Sequence, residues 1–340
     1  MNKNVIVYLI SKVSHCSQVY TGLKHLEKMG KINLTIYDYR DANIFPYSEK
    51  AIILLNYNCK RLVFDLQDGY WDGMEYYLKE YDYYFKRSFS EKNNERFSSN
   101  ERKKIYPLGF NYFVTCKGNP YGYEKLPKLV GKSIIGRSPL SFFTADLFTH
   151  EPVNRIDSKI RIIYYARLYD PYWNDNDMRK NEINYINSMR IELIRGLREK
   201  YGNCFLGGLE KDGISKQLAP ELIVPKGVTE KGRYLKLLHT CDIGIGSMGL
   251  HESIGWKTAE YIAASMGIVN EKFHYSVPGK FEVEKNYLDF TTAKECIEKV
   301  KQLIDNPEQL QQMKINNRLY YEKYLAPDKL VWNALQLCEI

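Results

Sequence analysis

The 340-residue chain reads as an α/β protein made of two doubly wound domains. Three observations predict this. Short runs rich in β-branched and aromatic residues alternate with polar or helical crossovers, the pattern of parallel strands. The pattern restarts near residue 159, after a stretch rich in Gly, Pro, Lys and aromatics, and a chain of this length holds about two domains. Residues 246–265, GSMGLHESIGWKTAEYIAAS, follow the apolar run CDIGI (241–245) and pass through Gly246, Gly249 and Gly255 into a helical periodicity. Strand, glycine-bearing loop and helix together present a helix N-terminus to a phosphate.

In chain order, NVIVYLI (4–10) predicts a buried strand, followed by the polar loop SKVSHCSQ and a helix over about 19–29. INLTIYDY (32–39), AIILL (51–55), RLVFDL (61–66) and YDYYFKRSF (81–89) continue the series of strands, and IYPLGFNYF (105–113) is a strand leading into a loop. Residues 114–155 have little periodicity and are expected to be connecting loops with one short helix. The expected boundary lies near 151–158, giving domains 1–155 and 156–326, with a last helix (327–340) packing back on the first. KIRIIYYARL (159–168) opens the second domain. A helix over 185–202 follows, with Ile186, Met189, Ile191, Ile194 and Leu197 near one face and Gly202 at its C-terminus. NCFLGGL (203–209), ELIVP (221–225), a helix over 229–239 and the strand CDIGI lead into the glycine loop. The helix after it places Ala259, Ile262, Ala263 and Met266 on one face. GIVNE (267–271) is a further strand, and helices are expected over 292–304, 307–323 and from 327 to the end.

Composition bounds the function. With 44% hydrophobic and 26% charged residues the chain is globular, and no apolar window of 18 residues exists to span a bilayer. The N-terminal apolar run is only about six residues with no small-residue cleavage site after it, a first strand rather than a signal peptide. Seven singly spaced cysteines, an odd number with no Cys-x-x-Cys, argue against a disulfide framework or a zinc site and for a reducing cytoplasm. Six dispersed histidines give a metal site no support. The net charge of +8 is concentrated in two windows, 86–104 and 117–137, each netting +4, so the remainder is neutral. Such a surface serves nucleic acid, anionic membrane or acidic substrates. No helix-turn-helix, zinc or RNA-module signature accompanies it, which sets nucleic acid aside.

HESIGWKTAEYIAAS resembles the signature of the GT-B glycosyltransferases, in particular the large retaining group (glycosyltransferase group 1) typified by bacterial polysaccharide enzymes. That group carries a Glu-x7-Glu motif, here Glu252 in the loop and Glu260 on the helix. The order of CDIGI, motif, GIVNEKFHYSVPG, NYLDF and a helix near Ala293 agrees as well, so the resemblance covers roughly 159–325, while the N-terminal half agrees only in fold pattern. The resemblance implies a GT-B fold, two Rossmann-like domains facing a central cleft, with the nucleotide sugar bound mainly by the C-terminal domain. Glu260 would accept hydrogen bonds from two ribose hydroxyls, and Glu252 would hold hydroxyls of the transferred sugar. The amides of Ile254, Gly255 and Trp256 would face the diphosphate, with Gly249 and His251 lining the site. Arg167 matches an arginine that neutralises the leaving diphosphate, and no bound metal or other cofactor is expected. Where the family commonly has lysine five positions beyond that arginine, this chain has Tyr172; Lys257 is the candidate replacement and Lys180 a weaker one. The paired glycines often found after the first strand are replaced by SKVSHCS.

The implied function is transfer of a sugar, with retention, from a nucleotide-sugar donor (a UDP-sugar by default) to a glycan or lipid-linked acceptor in bacterial surface polysaccharide synthesis. The implied location is the cytoplasm, peripheral on the inner face of the membrane. The acceptor would meet the N-terminal domain, where His15, Arg87 and Lys103 are candidates. Phe89, Phe97, Tyr106, Phe110 and Tyr112 interleave with the first basic window and are expected to dip into an anionic membrane. Two alternatives share the fold: a nucleotide-sugar 2-epimerase, for which no acid/base cluster exists beyond the Glu pair, and a catalytically silent nucleotide-sugar-binding subunit.

Overall fold

A computed structural model of the chain describes residues 3–42, 44–123, 143–153, 159–173, 176–225 and 227–339. It divides into two compact units: Met1–Leu147 with Tyr275–Gly279 and Tyr321–Ile340, and Phe148–His274 with Lys280–Tyr320. Both are α/β, each built on one sheet.

In the first unit β1 (Lys3–Leu9) pairs in parallel with β2 (Ile32–Asp38), joined by a helix over Ser17–Lys28. β3 (Ile52–Tyr57) runs antiparallel to both β1 and β4 (Lys60–Asp65), and β5 (Tyr83–Lys86) and β6 (Ile105–Pro107) complete the order β2-β1-β3-β4-β5-β6. The sheet is therefore mixed, not wholly parallel as the series of strands implies. Only Asn58 and Cys59 separate β3 from β4, both at positive φ (48° and 65°). Two residues in that conformation close a hairpin, whereas a parallel crossover needs a dozen residues or more. β6 is also shorter than the run 105–113, because the chain leaves the sheet after Pro107.

Both faces of this sheet are covered. Val5, Val7, Leu9, Ile53 and Leu55 pack with Val19, Leu23 and Leu26 and with Leu330, Val331 and Leu335 of the C-terminal helix (Pro327–Leu337). Ile52, Leu54, Val63 and Tyr84 pack on the other side against Met74, Tyr77 and Leu78. The two helices approach so closely that a Cβ on Gly22 would sit 2.1 Å from the Pro327 carbonyl oxygen.

The second unit is all parallel. β7 (Ile162–Ala166), β8 (Phe205–Leu209), β9 (Ile243–Gly246), β10 (Gly267–Glu271) and β11 (Leu288–Phe290) stand in the order β11-β10-β9-β7-β8. The first helix is longer than its apolar face predicts, Asp177–Tyr201, because the Asn176 side chain caps it by accepting from the Met178 and Arg179 amides at 2.9 and 3.3 Å. Its amphipathic half meets the sheet through Met189, Leu193, Ile194 and Leu197, and it ends at Gly202, φ 48°. The helix after the glycine loop, Trp256–Ala263, is shorter than the periodicity implies, so Met266 packs from the turn before β10. A helix over Pro307–Tyr320 closes the unit. Among the described residues no helix is long and apolar enough to cross a membrane.

Candidate functional site

In the second sheet β7 is flanked by β8 on one side and β9 on the other, so the crossover from β7 to β8 and the next, from β8 to β9, run in opposite directions. A reversal of strand order opens a crevice beyond the carboxyl ends of the two strands, where open α/β sheets bind ligands. Arg167 follows β7, and the loop 247–255 follows β9. Buried Arg190, from helix Asp177–Tyr201, ties these two ends together by donating to the Arg167 carbonyl at 2.6 Å and the Met248 carbonyl at 3.0 Å. The Tyr164 hydroxyl donates to Ser247 Oγ at 2.7 Å, and buried Glu271 accepts from the Met248 amide (2.8 Å) and the Tyr185 hydroxyl (3.0 Å). At Gly246 only glycine fits, because a Cβ would lie 1.7 Å from Asn270 Oδ1.

The loop itself is strained and braced. The Gly249 amide donates to the Ser253 carbonyl at 2.9 Å, closing a small ring. Within it His251 and Glu252 are both left-handed (φ 59° and 57°), a conformation that costs a non-glycine residue about 1–2 kcal/mol. Their successive amides converge on Glu182 Oε1, that of Glu252 at 3.3 Å, and Glu182 is ion-paired with Arg179, whose guanidinium lies 3.0 Å from His251 Nδ1. The brace turns the Glu252 side chain outward, where it is exposed and 3.6 Å from His274 Nδ1.

Glu260 has the opposite environment. One turn into helix Trp256–Ala263, it is 2% exposed rather than on a solvated face. Its Oε1 accepts from the Lys231 ammonium, while its Oε2 is enclosed and makes no hydrogen bond of good geometry, the Tyr234 hydroxyl being a donor that lies against the carboxylate. Lys231 opens the helix Lys231–Leu238 and lies 5.2 Å from the ring of Tyr234 on that helix; Lys257, on the first turn of the motif helix, lies 4.5 Å from the same ring. Burial lowers the Lys257 ammonium to about 8 even though the Glu260 carboxylate raises it, and Lys231 and Arg190 lower it further. Burial and the same carboxylate push the Tyr234 phenol well above its usual range. The result is a buried carboxylate with one enclosed oxygen that lacks a good hydrogen bond and with ammonium groups beside it.

No protein-family model matches the chain. No curated protein matches it either. Solved structures do. The C-terminal domain of LpcC, a glycosyl transferase group 1 family protein from Francisella tularensis, is 13% identical with a TM-score of 0.36, over 52% of this chain and 95% of that one. Alr3699/HepE from Anabaena, solved in complex with UDP-glucose, is 10% identical with a TM-score of 0.48, over 97% of this chain and 96% of that one. TarM from S. aureus, solved in complex with Fondaparinux, alpha-GlcNAc-glycerol and UDP, is 12% identical with a TM-score of 0.42, over 92% of this chain and 53% of that one.

Of the residues singled out in the sequence, Gly249, His251, Glu252, Ile254, Gly255, Trp256, Lys257 and Glu260 fall on one loop and helix beside the crevice, Gly255 serving as the helix N-cap. Arg167 is exposed at the end of β7, with its guanidinium 5.4 Å from the Tyr169 ring. Tyr172 is 80% exposed, and Lys180 pairs with Asp177 at 3.6 Å on the first turn of its helix. In the first unit His15 and Arg87 come together. Burial, and then the Arg87 charge, lower the His15 imidazole to about 4, while Asp68, ion-paired with Arg87, raises it. Lys103 stands in solvent just past the short helix Ser99–Arg102.

The first basic window is only partly a solvated face. Lys86 is fully buried, 3.1 Å from Asp65, which also accepts from the Tyr84 hydroxyl (2.6 Å) and the Trp71 indole (2.9 Å). Lys104 donates to the Leu78 and Tyr81 carbonyls. The membrane-dipping aromatics are overturned in the main: Phe97, Phe110 and Tyr112 are 5%, 3% and 1% exposed, held in the interior by their own apolar area, and Phe89 and Tyr106 are half-buried. The second basic window lies mostly outside the described residues. Lys231, Tyr234, Arg190 and Glu182 escape sequence reading, for each reaches the site from an element remote from the motif.

Proposed function

We propose that the chain is a GT-B glycosyltransferase taking its sugar from a nucleotide-sugar donor held at the carboxyl ends of β7 and β9. One observation carries the reading: the buried Glu260 carboxylate, with an oxygen that makes no good hydrogen bond and lysines at its side. A carboxylate so placed accepts from the vicinal hydroxyls of a ribose, and neighbouring ammonium groups match the diphosphate attached to it. Glu252, exposed and turned outward, holds hydroxyls of the transferred sugar. Arg167, Lys257 and the helix N-terminus at Ile254, Gly255 and Trp256 stabilise the charge that develops on the departing diphosphate. Lys257 takes the part left vacant by Tyr172. Transfer proceeds with retention, a phosphate oxygen of the leaving group helping to take the acceptor proton, so no protein general base is required. The acceptor is a glycan or lipid-linked glycan of a bacterial surface polysaccharide, met on the first unit near His15 and Arg87.

The test is a thermal-shift screen of the purified protein against UDP, GDP, ADP and CMP and their common sugar conjugates. A nucleotide at ~100 times its dissociation constant adds about 2.7 kcal/mol to apparent stability. A shift confined to one base is the expected result and names the donor. No shift with any of them would overturn the reading.

A further inference from the structure

The donor carboxylate is already occupied. Lys231 comes from the helix before β9, not from the motif, and its ammonium sits on Glu260 Oε1. Its side chain remains 28% exposed while that of Glu260 is 3% exposed, so Lys231 is the group of this pair nearer solvent. While Lys231 stays, a diol that took both carboxylate oxygens would have to share Oε1 with the ammonium. The local charge is also unbalanced: Lys257 and the cations acting on it, Lys231 and Arg190, face two carboxylates, Glu260 and Glu210. A carboxylate that gave up Lys231 to a neutral sugar ring alone would strand an ammonium. A ligand carrying hydroxyls and an anion together would not.

We propose that Lys231 is an exchanged counterion: it caps Glu260 in the unliganded protein and, when a nucleoside diphosphate binds, yields Oε1 to the ribose and moves onto the phosphates. This rests on the donor-site reading above. It makes discrimination for the diphosphate over the bare nucleoside a property of one side chain. A nucleoside has to weaken the Lys231–Glu260 pair with nothing to offer the lysine, whereas a diphosphate gives the lysine a better partner.

The test is isothermal titration of the parent protein, Lys231→Met and Lys231→Arg with the pairs uridine/UDP, guanosine/GDP, adenosine/ADP and cytidine/CMP. For the pair that the parent binds, Lys231→Met should bind the nucleoside more tightly and the phosphorylated partner about tenfold or more weakly, the scale of one charge-assisted hydrogen bond. Lys231→Arg clamps the carboxylate through two N–H groups, so it should weaken the nucleoside and spare the phosphorylated form. If Lys231→Met does not fold, as judged by circular dichroism, the arginine variant alone decides. Affinities for both partners that move together, or not at all, would refute the exchange while leaving the donor site standing. Failure of the parent to bind any pair would refute the donor site and the exchange with it.

Discussion

Replacing Glu260 by alanine removes the carboxylate between Lys231 and Lys257, and the geometry sets the size of the effect. Oε2 is the oxygen without a good hydrogen bond, and Oε1 is shared with Lys231 until that lysine leaves. At least one charge-assisted hydrogen bond to the ribose is therefore lost, about 1.5–3 kcal/mol, or roughly tenfold to a hundredfold in Kd. The unliganded protein should lose far less. The deletion abolishes a buried oxygen that lacks a good hydrogen bond, and partly exposed Lys231 regains water in place of its partner. Lys257 should respond too, since the Glu260 carboxylate is the leading influence that raises its ammonium against burial; its pKa should fall further below about 8. The assay is isothermal titration at pH 7 with the nucleotide found in the screen, alongside thermal unfolding of each apo protein. Glu252→Ala is the control: its carboxylate is exposed and meets His274 at 3.6 Å, so it should spare nucleotide affinity and cost turnover. Glu260→Ala binding as the parent does, or Glu252→Ala losing affinity equally, would refute the assignment of roles.

Two further outcomes concern the first unit. His15 has a folded pKa of about 4 against 6.5 for the free imidazole, so between those values the unfolded chain binds a proton that the folded chain refuses. Stability should therefore fall as pH drops through that window, by at most about 3 kcal/mol, and be fully present above it. Urea unfolding from pH 7 to 4 measures this, and a His15→Gln variant with the same pH slope as the parent would refute it. Asp65→Ala strands Lys86 in the interior and removes the acceptor of Tyr84 and Trp71, so it should cost about 3–5 kcal/mol. A urea midpoint close to that of the parent would show that the pair is dispensable.

Most of the second unit was legible because its information is local. The run CDIGI, the glycines of the loop and the spacing of Glu252 and Glu260 lie within about 25 residues, and strand–loop–helix chemistry is written in that order. The first unit was less so. AIILL and RLVFDL look alike whether parallel or antiparallel, and the two-residue link Asn58–Cys59 lacks the glycine that usually marks a hairpin. Lys86 and Arg87 look like the rest of their charged window; only burial separates them from solvated Lys92 and Lys103. Phe97, Phe110 and Tyr112 carry the same ambiguity in reverse, since an aromatic among lysines suits a membrane surface and a core equally.

By itself the sequence determined the α/β class, the restart of the pattern in the second half and the loop that carries the two glutamates, because periodicity and turn chemistry act over a few residues. Tertiary structure alone decided which oxygen of Glu260 has a partner, which lysine faces it, and how Glu182 and Arg190 hold the loop. Those facts depend on groups 20 to 80 residues apart in the chain meeting in a space that excludes water. Burial sets Glu260 apart from a common surface glutamate, and no local pattern encodes burial.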